Sequence, residues 1–148
     1  TMGDVETILM ITTLVFGVIG SLILAILHGL GYKLLGFKAD KPGFWRRFVF
    51  QVGSVVVSYG VFYIVGELMV SSADVSASIL TTLVEAGGIG FFLIIAAVTA
   101  VIYHISLSAA TYLLGTKSAS IAMKTPSICT AVVFILMALP GFLAMFAN

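Results

Sequence analysis

The chain has 148 residues, of which 61% are hydrophobic and 9% charged, and its mean hydropathy is +1.23. Seven basic and six acidic side chains cannot cover a domain of this size in water, where about a quarter of residues are normally charged. Composition therefore excludes a soluble domain and indicates an integral membrane protein, with the lipid bilayer as its first partner. A net charge of +1 leaves no basic stripe to neutralise phosphates, which excludes nucleic acid as a partner. The single cysteine, Cys129, excludes an internal disulfide, a CxxC pair and a thiolate metal cage, and is expected to be a small core hydrophobe.

In chain order, Thr1 stands ahead of Met2, and we read it as a residue left before a native start rather than a processed terminus. Four runs reach the length of about 20 apolar residues that a membrane-crossing helix needs. They are 8–35, 48–70, 89–114 and 128–146, and they predict one transmembrane domain over 1–148: an all-α four-helix bundle of two antiparallel hairpins. The segment before the third run is itself apolar. Counted with that run it is too long for one span, which predicts a short outer-face or re-entrant helix over 76–86, capped by Ser76 or Ser78 and broken at Gly87 and Gly88. Pro140 with Gly141 is expected to kink the fourth span. The first and third spans end alike, with Leu34, Leu35 and Gly36 matching Leu113, Leu114 and Gly115, which suggests a weak duplication.

All seven basic residues lie at two linkers, 36–47 with its flanking Lys33 and 115–127. Basic residues stay on the cytoplasmic side, so these linkers are expected to be cytoplasmic, with both termini outside, in the plasma (inner) membrane. Trp45, Arg46 and Arg47, flanked by Phe44 and Phe48, read as an interfacial anchor.

Small residues recur at helical spacing: Gly17, Ser21, Ala25 and Gly29 on the first span, Gly53 and Gly60 on the second, Ala96 and Ala100 on the third. Such stripes let helix backbones approach closely, and they are read as helix-packing faces. Four titratable groups lie within or beside spans, where ionisable side chains are expensive and need a reason. His28 and His104 sit at similar depth on small-residue faces. They read first as hydrogen-bonding histidines, and alternatively as the axial pair of a haem b, a subunit that would carry electrons. Glu67 and Glu85 lie toward the outer ends of their helices and would border an ion or proton path if the protein were a small channel or transporter. No catalytic motif such as GxSxG, HExxH or a P-loop is present, so no enzymatic activity is expected. With small-residue faces outnumbering reactive groups, the expected function is helix association without a cofactor, as a homo-oligomer or an accessory subunit of a larger membrane complex.

Overall fold

The structure is a computed structural model that describes residues 2–147, and within them the side chains of all but residues 2, 69, 70, 73, 75, 76 and 86. Five α-helices follow in order: α1 (Met2–Leu34), α2 (Phe44–Ser71), α3 (Ala73–Leu114), α4 (Ala119–Lys124) and α5 (Ser127–Ala147), with a 3-10 turn at Lys38–Asp40. Four helical segments, Gly3–Leu34, Phe44–Leu68, Gly87–Leu114 and Ala119–Ala147, are long and apolar enough to cross a membrane. The all-α four-helix bundle read from the sequence is the observed architecture.

The helices form a ring in which α1 packs on α2, α2 on α3, α3 on α5, and α5 back on α1. The α3–α5 interface is the broadest and the α1–α5 interface the narrowest. All four helices pack together only at the end that carries the basic linkers, hereafter the basic end, while α3 and α5 stay in contact beyond it. At the basic end the core is Phe50, Tyr103, Leu107 and Cys129, with Leu24, Leu27, Ala110 and Val133 against it. Toward the opposite end, residues 3–19 of α1 and 62–68 of α2 are exposed throughout. In lipid this costs little, because hydrocarbon solvates Leu, Ile and Val as well as a protein interior does.

Helix ends at the basic end are closed by specific devices. Gly36, at φ 82°, ends α1 in a left-handed turn in which Phe37 N–H donates to Tyr32 O at 2.8 Å and Gly36 N–H to Lys33 O at 3.4 Å. This is the paired closure that a glycine after a helix permits, since its missing Cβ removes the penalty for positive φ. The matching Gly115 is not left-handed: its φ is −121°, and it lies against the Phe50 ring instead. The two aligned glycines therefore do different work. The last carbonyls of α3 accept from basic side chains, Arg46 Nη2 to Leu114 O at 2.6 Å and Lys117 Nζ to Leu113 O at 3.0 Å. Cations at a helix C-terminus also meet the negative end of its dipole.

The middle connection differs from the expected linker. Helix α2 runs to Ser71 and α3 starts at Ala73, leaving Ser72 alone between them. The helix before the third span begins at 73 rather than 76, and Ser72, not Ser76 or Ser78, holds the N-cap position, without a side-chain cap. The Ser76 side chain is outside the described residues. The break falls at the glycines as expected: Gly87, at φ 76° and ψ −178°, interrupts an otherwise helical 73–114. Pro140 lies within α5, which continues to Ala147. Beside it, Gly141 is buried against Phe92, and a Cβ there would come within 2.6 Å of Phe92 Cβ.

Candidate functional site

The polar groups concentrate where the bundle is tightest. Gln51, the sole glutamine of the chain, is fully buried on α2. Its Oε1 accepts a short hydrogen bond from the Tyr103 hydroxyl on α3, and its Nε2 faces Cys129 Sγ on α5 at 4.0 Å. The thiol in turn donates to Leu24 O on α1 at 3.3 Å. Tyrosine O–H to amide oxygen, amide N–H to sulfur, and S–H to carbonyl all run in one direction, so one chain of hydrogen bonds touches all four spanning helices. With the thiol's proton spent on a carbonyl and no imidazole bonded to it, this is an arrangement for holding helices rather than for nucleophilic chemistry. Ser54, Ser106 and Thr111 turn inward as well, each hydroxyl donating to the carbonyl four residues earlier in its own helix.

Arg47 departs from the expected anchor. Only 7% exposed, it turns into the bundle and donates from Nε to Ala25 O at 3.0 Å and from Nη1 to Pro42 O at 2.9 Å. Its guanidinium lies over Gly29, where a Cβ would approach Cζ to 2.7 Å. Gly29 is therefore the small face that admits an arginine, not a second helix. No carboxylate meets Arg47 among the described residues. Trp45 is 69% exposed, with the Phe44 and Phe48 rings edge-on to it at 5.1 and 5.9 Å. Arg46 is exposed too, and caps α3 as described.

The two histidines have separate surroundings. His28 is fully buried, with Nε2 at 3.4 Å from Thr125 Oγ1 and its ring 5.1 Å from that of Tyr32. Thr125 Oγ1 spends its proton on Ile121 O, so the imidazole carries its hydrogen on Nε2, leaving Nδ1 as a buried acceptor with no partner. The Tyr32 and Ser108 hydroxyls are likewise unpartnered. His104 bonds Thr130 through Nδ1 at 2.7 Å and lines an open trough between α3 and α5 that His28 does not line. Each imidazole is directed at its own threonine, and no described cavity holds both. The haem alternative gains no support from this geometry.

Glu67 and Glu85 are exposed, on α2 and on the part of α3 before Gly87, and no described pocket includes either. The structure thus does not gather them with the histidines into a path. Among the small-residue stripes, Ser21, Ala25, Gly29, Ala96 and Ala100 are buried in the bundle, whereas Gly17, Gly53 and Gly60 have nothing within 4 Å of an added Cβ. Gly31, outside the proposed stripe, makes the closest approach: its Cβ would fall 2.4 Å from Thr125 O. Sequence reasoning missed Gln51, although a lone amide inside an apolar run was a visible signal. It also missed Thr125 and Thr130, which differ from other span threonines only in what folds against them.

No protein family, curated protein or solved structure matches the chain. What the fold and its four apolar helices define is a small polytopic membrane protein.

Proposed function

We propose that the protein works by helix association in the membrane, as a homo-oligomer or as an accessory subunit of a larger membrane complex. The observation that carries this reading is the set of glycines with empty space before them. Gly17 and Gly20 on α1, and Gly53, Gly60 and Gly66 on α2, meet nothing within 4 Å, while the polar groups of the basic end are largely spent inside the bundle. Glycine inside a helix is unfavourable by about 1 kcal/mol relative to alanine, a cost offset where a second backbone comes close. The basic end faces the cytoplasm in this reading, and both termini lie outside the plasma (inner) membrane.

The test is Gly17→Leu and Gly60→Leu, each compared with wild type in mild detergent. Expected is a loss of assembly of about tenfold or more in at least one variant, with helicity unchanged. Purified wild-type chain that assembles alone identifies a homo-oligomer, and assembly only with a co-purifying membrane protein identifies an accessory subunit. A monomeric wild type in native membranes, or assembly indifferent to both substitutions, refutes the reading.

A further inference from the structure

The trough between α3 and α5 has a volume of about 540 Å³, within the range that holds a small amphiphile. Ala97, Phe134 and Ile135 give it apolar walls, and His104, Ser127 and Thr130 supply its polar side chains. His104 lies ten residues before the end of α3 at Leu114, about 15 Å along the helix axis and so within the hydrocarbon.

Hydrogen accounting fixes what these groups offer. Thr130 Oγ1 lies 3.1 Å from Pro126 O and 2.7 Å from His104 Nδ1. If the hydroxyl donates to the carbonyl, the ring donates from Nδ1 to the hydroxyl, and both bonds form. If the hydroxyl donates to Nδ1 instead, the bond to Pro126 O is lost and an Nε2–H is left without a protein partner. The first arrangement satisfies more groups in a medium without water, so Nδ1 carries the hydrogen and Nε2 is a bare acceptor. Nε2 has no protein partner among the described residues. The Ser127 hydroxyl spends its own proton on Lys124 O at 2.7 Å. The polar side chains of the trough therefore present acceptors only. Ordinary phospholipid chains, ester carbonyls and phosphates bring no donor to such a site.

We propose that the α3–α5 trough binds a membrane-dissolved amphiphile with a hydroxyl head, such as a sterol or a diacylglycerol, whose O–H donates to His104 Nε2 while its apolar body lies along Phe134 and Ile135. The ligand enters sideways from the bilayer, and hydrogen-bond polarity, rather than charge, selects it.

The experiment uses the full chain in phosphatidylcholine nanodiscs, which contain no lipid hydroxyl. Two photoreactive probes, a sterol and a diacylglycerol, are each paired with their O-methyl ether, and a 3-keto sterol is added as an acceptor-headed control. Expected is labelling of the 97–104 and 127–135 segments by at least one hydroxyl probe, about three- to tenfold above its ether, the discrimination of one hydrogen bond in lipid. Which probe labels identifies the source. His104→Phe reduces labelling to the ether level, as does Ala97→Phe, which fills the trough and leaves the imidazole in place. Should His104→Phe not fold, Ala97→Phe decides alone. The Nε2 nitrogen resonance of His104 shifts with the hydroxyl probe and not with the ether. Equal labelling by hydroxyl and ether, preference for the keto sterol, labelling that survives both substitutions, or no labelling by either hydroxyl probe overturns the proposal.

Discussion

Replacing Gln51 with Leu keeps the side-chain volume close to native while deleting the middle of the hydrogen-bond chain. Tyr103 Oη loses its acceptor and Cys129 Sγ its donor, and both residues are buried, at 4% and 0% exposure. Interhelical hydrogen bonds in lipid average about 0.6 kcal/mol and reach about 1.7. The short tyrosine bond belongs at the upper end and the 4.0 Å contact to sulfur at the lower, so together they contribute about 2 kcal/mol. Cys129, the only cysteine and fully buried, reports the loss directly, because its thiol reacts only when the bundle opens. A destabilisation of about 2 kcal/mol raises the labelling rate of Cys129 by roughly thirtyfold when opening and closing are fast. Tyr103→Phe removes the same bond from the other side. The double variant should fall short of the sum of the two singles by about 1 to 2 kcal/mol, the mark of a shared interaction. Additive effects, or a change in labelling below about threefold for Gln51→Leu, refute the claim that this chain holds the helices together.

Gly31→Ala places a methyl 2.4 Å from Thr125 O and Gly141→Ala places one 2.6 Å from Phe92 Cβ, so each should lose about 1 to 3 kcal/mol in reversible unfolding from mixed micelles. Arg47→Met, which keeps much of the volume and removes a buried cation without a carboxylate, should be at least as stable as wild type in the same assay; a clear loss relative to wild type means the guanidinium's bonds to Ala25 O and Pro42 O outweigh its desolvation. On a Cys129→Ser background, which preserves a donor to Leu24 O, a cysteine at Ser72 should label in intact cells and one at Ser118 only after permeabilisation. Labelling of Ser118 from outside would invert the orientation.

The spans were legible because hydropathy acts residue by residue: a run of apolar side chains needs no partner to belong in lipid. The break at Gly87 was legible for a similar reason, as two adjacent glycines in an overlong run leave few other places for it. The single-residue connection at Ser72 was not, since the apolar stretch after it reads equally as a separate interfacial helix or as a continuation of α3. Packing was only half legible. Ser21 and Gly17 belong to one stripe, yet Ser21 is buried and Gly17 open, because α1 has neighbours only near the basic end, and no periodicity records where contact stops. Arg47 beside Arg46 looked like the same kind of residue; what separates them is Gly29 on another helix, which makes room for one guanidinium.

The hydrogen-bond chain also imposes an order in time. Gln51 and Cys129 are 78 residues apart, so at about 5 to 20 residues per second the amide is made roughly 4 to 16 s before its sulfur partner. Tyr103 arrives in the interval and takes the amide oxygen, but the amide hydrogens stay unspent until α5 inserts. A nascent chain that stalls after α3 therefore exposes an unsatisfied amide to the bilayer.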